Sequence, residues 1–96
     1  MIYTKLTYTQ FQENLEQLNQ AYNNQWTVNG DSTLTVRDGL GNPLASNSSE
    51  VWLNHSFDYV GFRKLPEDEK ADLFTLVFTL SKTLLPERGL KWLIKN

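Results

Sequence analysis

The chain has 96 residues, a formal net charge of −2, no cysteine and one histidine. That length makes one domain, able to bury roughly 60–70% of its unfolded surface without metals or disulfides. The missing cysteines exclude disulfide frameworks, thiolate metal sites and cysteine nucleophiles, and the absence of a basic run removes the electrostatic footprint of a nucleic-acid backbone binder.

Residues 1–8 lack the long apolar run of a signal peptide, so the cytoplasm is the expected location. Thr7 to Tyr22 reads as a helix, because Tyr8, Phe11, Leu15, Leu18 and Tyr22 recur at spacings of three and four. Thr7 with Gln10, or Thr9 with Gln12, supplies a capping box. The apolar stripe is only about 80° wide, which suits a helix that covers a core from outside. Asn23 and Asn24 end it, since both leave helical geometry easily.

Four short strands are expected next. Trp26 and Val28 alternate with Thr27 and Asn29, and Gly30-Asp31 makes a turn. Leu34 and Val36 alternate with Thr33, Thr35 and Arg37, and residues 38–42 make a second turn. Leu44 to Asn47, edged by Pro43, is a third strand, and Glu50 to Asn54 a fourth. Trp26, Val28, Leu34 and Val36 should face the helices, while the Thr, Asn and Ser face meets water. Residues 55–64 read as a loop, from which Phe62 and Leu65 fold back to staple the next helix.

That helix is the main one, over residues 65–85. Pro66 suits the first helical position, and Glu67, Asp68 and Glu69 meet the positive end of the helix dipole. Leu73, Leu76, Val77, Leu80 and Leu84 form one stripe, which Phe74, Phe78 and Leu85 widen. Asp72, Thr75, Thr79, Lys82 and Thr83 gather opposite. The apolar arc spans roughly 200°, twice the ~100° that one supporting surface demands. Either a sheet and a second helix sandwich this helix, or the Phe74/Phe78 edge stays exposed and meets another chain. Thr75, Thr79 and Lys82 break the run of ~18–20 apolar residues that a membrane span requires. Pro86 to Gly89 breaks the pattern, and Leu90 to Lys95 reads as a short last strand or a helical tail, with the β-branched and aromatic content favouring the strand.

Little in the sequence points to catalysis. His55 stands beside Ser56 and Asp58, but neighbours in sequence do not normally align as nucleophile, base and orienter. One histidine with scattered carboxylates gives no metal-ligand spacing, and no cofactor is expected. Residues 31–42 lack the alternating ligands and closing Glu of a calcium loop. Gly39-Leu40-Gly41 lacks the Lys-Ser/Thr of a phosphate loop. The acidic triplet 67–69 is explained by helix capping. Asn47 and Asn54 open glycosylation triplets, which mean little without a secretory signal. Trp26 and Trp52 read as sheet residues, one inward and one outward. Tyr59, Phe62 and Trp92 lie in loop or terminal segments, where an exposed aromatic can anchor a partner. With Phe74 and Phe78 they form the candidate interaction surface.

The stretch Phe62-Arg63-Lys64-Leu65-Pro66-Glu67-Asp68-Glu69-Lys70-Ala71-Asp72-Leu73-Phe74-Thr75-Leu76-Val77, continuing through Ser81 to Arg88, resembles a family of small uncharacterised phage and prophage proteins of Gram-positive bacteria such as lactobacilli and streptococci. Leu65, Pro66, Glu69, Leu73, Phe74, Leu76, Thr83 and Arg88 stand at matching positions. Leu84 replaces the family's proline, so a longer helix is expected in this chain, and Lys91-Trp92-Leu93-Ile94 replaces a tyrosine-rich end. The match covers about a third of the chain and carries no catalytic residue. It implies an N-terminal helix, a β-meander and a long helix, in a phage-encoded protein of the bacterial host cytoplasm.

The expected architecture is a two-layer α+β domain: an N-terminal helix, an antiparallel meander of four or five short strands, and a long C-terminal helix packed on one face. The expected role is non-enzymatic, a phage or prophage accessory protein acting by protein–protein contact as a homo-oligomer or on a phage or host protein. A nucleic-acid-associated phage protein and a small hydrolase or ligand-binding module using residues 55–58 are the alternatives.

Overall fold

A computed structural model of the protein describes residues 5–89. In chain order the elements are α1 (Tyr8–Tyr22), β1 (Thr27–Gly30), β2 (Thr33–Arg37), β3 (Pro43–Ser48), β4 (His55–Ser56), α2 (Val60–Arg63), α3 (Glu67–Lys82) and a 3-10 turn at Leu85–Arg88. The strands form one antiparallel sheet in the order β1-β2-β3-β4. Helix α3 lies against β3 and β4, and α1 packs on α3, giving the expected α+β class. No helix of the described residues is long and apolar enough to cross a membrane.

Of the two capping boxes, the chain uses the first. The Gln10 N–H donates to Thr7 Oγ1 at 3.1 Å, and the Thr7 N–H donates to Gln10 Oε1 at 3.0 Å. Two otherwise orphaned backbone donors are thereby satisfied. Thr7→Ala is expected to cost about 1 kcal/mol in a urea titration. At the other end Asn23 takes the left-handed conformation at φ 54° and donates back to Asn19 O. The Asn19 amide then holds Trp26 by its backbone N–H and carbonyl, both at 2.9 Å. One side chain on the polar surface of α1 thus docks the start of β1.

Strand register sets the core. Val28, Val36 and Ala45 are cross-strand neighbours, as are Leu34, Asn47 and His55, so all six share one face. Tyr8, Phe11, Leu15, Leu73, Leu76, Val77 and Leu80 close the core from the helices. Trp26, Val28, Leu34 and Val36 are buried as the alternation predicts. Asn47 is buried as well, which removes the first glycosylation triplet from use, and its amide finds no partner among the described residues. On the opposite face Ser46 is covered by Tyr59, whose hydroxyl donates to Ser46 Oγ at 3.0 Å.

The turn after β2 is built on Asp38. Its Oδ1 accepts the N–H groups of Leu40 and Asn42, both at 2.9 Å, and Gly41 takes φ 87°. The Asn42 N–H, ahead of the other donors, holds the Asp38 carboxyl below the usual carboxylate range. A depressed folded value adds stability above the unfolded value and loses it as pH falls through the folded one. The stability gap between wild type and Asp38→Asn should therefore shrink below about pH 4, read by denaturant titration across that window.

The structure corrects several expectations. Residues 50–54 are not a strand. Ser48 Oγ takes the N–H groups of Glu50 (3.1 Å) and Val51 (2.9 Å), and Leu53, at φ 58°, gives its N–H to Ser81 O at 3.1 Å. Donors used this way are lost to a sheet ladder. The fourth strand is His55–Ser56, inside the segment expected to be loop, and α2 follows in the same segment. Trp52 therefore lies in a turn and not in the sheet. Pro66 is the N-cap of α3, with ψ 153°, and Glu67 is the first helical residue. The helix stops at Thr83, whose ψ is 130°, so Leu84 does not prolong it. Thr79 and Thr83 are buried despite their place on the polar side. Their hydroxyls donate to the carbonyls four residues back at 2.6 and 2.8 Å, which satisfies the groups that burial would strand. The expected last strand, with Trp92, lies outside the described residues.

Candidate interaction surface

The segment that begins at Trp52 runs antiparallel to α3. The Trp52 indole N–H donates to Lys82 O at 2.8 Å, and the Leu53 N–H to Ser81 O. Next, His55 Nδ1 lies 2.8 Å from Ser81 Oγ. The imidazole stands edge-on to Phe78, with ring centres 5.6 Å apart. Further along, Phe57 meets Phe74 at 4.9 Å and Phe62 at 4.9 Å. The result is a closed ring of four aromatic side chains. His55 touches Phe57 and Phe78, Phe57 touches Phe74, and Phe74 stacks on Phe78 at 5.6 Å with 6° between planes.

Local chemistry shapes this segment. The Asp58 N–H donates to Ser56 Oγ at 3.2 Å, and the Asp58 carboxylate pairs with Arg63 at 2.9 Å, closing the loop. Gly61 lets α2 lie against β3, where a Cβ would stand 2.8 Å from Pro43 O and from Leu44 Cδ2. Phe57, Phe62 and Leu65 pack partly against the core, and the Leu65 N–H donates to Phe62 O at 3.1 Å.

The outer side of the ring faces solvent. Phe74 is 45% exposed and Phe78 is half-buried. Val51, Trp52, Leu53 and Leu84 are also exposed, at the C-terminal end of α3. Lys82 Nζ sits 5.8 Å from the Phe78 ring centre. Soluble domains seldom leave such side chains in contact with one another and with water, because each buried Phe is worth roughly 1.5–3 kcal/mol. Each phenylalanine pair in contact adds about 0.5–1.5 kcal/mol beyond its buried area, so the rings hold one another in place at the surface.

The predicted residues part company at this point in the fold. Phe62, Phe74 and Phe78 belong to one aromatic cluster. Tyr59 instead turns to Ser46 and lines a groove of about 480 Å³ with Asp38, Leu44, Val60, Lys64 and Leu65. The Asp38 carboxylate at its rim is tied to its own turn. The three neighbours His55, Ser56 and Asp58 diverge, since His55 turns to a fully buried Ser81 and Asp58 turns out to Arg63. No group of three potential metal-binding side chains exists among the described residues. Sequence reasoning missed Phe57, Trp52 and Leu53 as surface partners of α3, because their proximity comes from the path of the chain after β3.

The end of α3 that holds this surface in place rests on Arg88. The residue is fully buried. Its guanidinium donates from Nε to Thr83 O at 2.9 Å, from Nη1 to Ser48 O at 2.7 Å and from Nη2 to Ser81 O at 2.9 Å. Ser81 and Thr83 carry orphan carbonyls at the negative end of the α3 dipole, so the cation sits where backbone charge favours it.

No protein-family model, curated protein or solved structure matches the chain.

Proposed function

We propose that the protein is a phage or prophage accessory protein that acts by protein–protein contact without catalysis, in the cytoplasm of a bacterial host. The observation that carries this reading is the aromatic cluster of Phe57, Phe74 and Phe78, which opens to solvent at Phe74 and is flanked by the exposed Trp52 and Leu53. Aromatic groups held in fixed rotamers lose little entropy on docking, and they dominate binding energy at protein interfaces. The phage assignment rests on the resemblance over residues 62–88, which include α3 and Arg88.

A photo-crosslinking amino acid at Ala71, one turn before Phe74 and exposed, tests the surface in living bacteria. The control carries the same group at Leu40, which is 89% exposed on the β2–β3 turn. A discrete protein adduct at position 71 and none at position 40 is expected. Equal labelling at both positions, or none at 71, would mean that the aromatic side of α3 is not a contact surface.

A further inference from the structure

The outward side of α3 carries Glu67, Ala71, Phe74, Phe78 and Lys82 in succession, at helical spacings of four, three, four and four. At 100° per residue these five fall within roughly 80° of one another. All are exposed or half-buried. The order is acid, small, aromatic, aromatic, base, which is complementary to its own reverse. Laid antiparallel on a copy of itself about a point midway between Glu67 and Lys82, at Phe74 and Thr75, the stripe sets Glu67 opposite Lys82 and Ala71 opposite Phe78. Phe74 then sits at the axis.

From this we infer that the occupant of the surface is a second copy of this chain, paired through α3 in antiparallel, isologous fashion; the inference rests on the proposed contact function. Isologous contact requires a patch that matches itself, and this one does in charge and in size. Ala71 leaves the space that a Phe78 ring needs when helix axes approach to about 8–10 Å. The mixed three- and four-residue spacing is that of helices packing along one another at a shallow angle. Opposite charges at the two ends disfavour the parallel arrangement, which would set Glu67 on Glu67 and Lys82 on Lys82. Among the described residues the Glu67 carboxylate, 93% exposed, holds only an i,i+3 contact with Lys70 at 3.3 Å, so it can turn to a partner at little cost. Trp52 and Leu53, anchored to the last turn of α3, and Phe57, beside Phe74, extend the apolar contact on one flank.

The test is sedimentation of charge-reversed chains, alone and mixed. Lys82→Glu sets like charges opposite each other at both ends of the pair, and so does Glu67→Lys. Each single variant is expected to self-associate at least roughly tenfold more weakly than wild type. An equimolar mixture of the two restores opposite charges at both ends and is expected to re-form dimers, as heterodimers. Ala71→Arg, at an exposed site, should abolish association while circular dichroism and thermal melting stay those of the monomer. A mixture no more associated than its components would overturn the antiparallel pairing. A wild type that stays monomeric at millimolar concentration would overturn the second-copy occupant, while an adduct to a different protein at position 71 would leave the contact surface itself standing.

Discussion

Arg88→Met should destabilise the protein by about 3–5 kcal/mol. The guanidinium serves three carbonyls, those of Ser81 and Thr83 in buried contacts and that of Ser48 in a part-buried one. Methionine fills similar space but donates nothing, so the Thr83 and Ser48 carbonyls lose this donor and Ser81 O falls back on the Leu53 N–H; each group left unpaired costs about 1–3 kcal/mol, partly offset by no longer burying a charge. The loss is large because the residue joins three parts of the chain. The 3-10 turn is held to the end of α3, α3 to the end of β3, and Thr83, whose carbonyl Arg88 takes, accepts the Leu6 N–H at 2.9 Å on its hydroxyl. For a domain of this size each kcal/mol moves Tm by about 4–8 °C, so a fall of at least roughly 12 °C is expected by calorimetry. Arg88→Lys keeps the charge but not the three-way fork and should recover only part of the loss. A methionine variant within about 0.5 kcal/mol of wild type, the range of ordinary surface changes, would show that the carbonyls are satisfied without it.

Phe74 and its neighbour Leu73 should behave in opposite ways. Leu73 is fully buried, and Leu73→Ala should cost about 2–5 kcal/mol of folding stability through the cavity it leaves. Phe74 keeps 45% of its surface in water, so Phe74→Ser removes fewer buried contacts and should lower stability by only about 1–2 kcal/mol. Its effect falls on association, where loss of a central aromatic group costs about 2 kcal/mol or more and weakens the contact at least tenfold. Denaturant titration of both variants, set against their sedimentation, separates the two effects. A Phe74→Ser chain that unfolds as readily as Leu73→Ala would place Phe74 in the core and not on an interface.

Where a reading rested on local pattern, the sequence was informative. The alternation through Trp26, Val28, Leu34 and Val36 identifies the inner face of the sheet because one buried face imposes a two-residue period. The spacing of Tyr8, Phe11 and Leu15 marks the buried side of α1 for the analogous helical reason. The breadth of the apolar arc on α3 signals more than one neighbour, and Phe74 lies on the part the core leaves open. Tertiary bonds decide the remainder. Val51 and Leu53 alternate like strand residues, yet Ser48 Oγ and Ser81 O claim the backbone around them. Thr79 and Thr83 look like solvent-side residues, yet their bonds to preceding carbonyls let them be buried. The aromatic ring was only half legible. Phe74 and Phe78 are one turn apart on a helix, whereas His55 and Phe57 reach them only because β4 ends after two residues and returns the chain toward α3. A lone arginine after Pro86 carries no local sign that it will cap a distant strand and a helix together.

The most direct measurement is sedimentation equilibrium of the full chain beside its Phe74→Ser variant over a concentration series. With rising concentration the wild-type mass should climb from 11.1 kDa toward twice that value, while the variant stays at 11.1 kDa. Superimposable curves for the two proteins, whether both single or both paired, would contradict any part for the aromatic side of α3 in joining one chain to another.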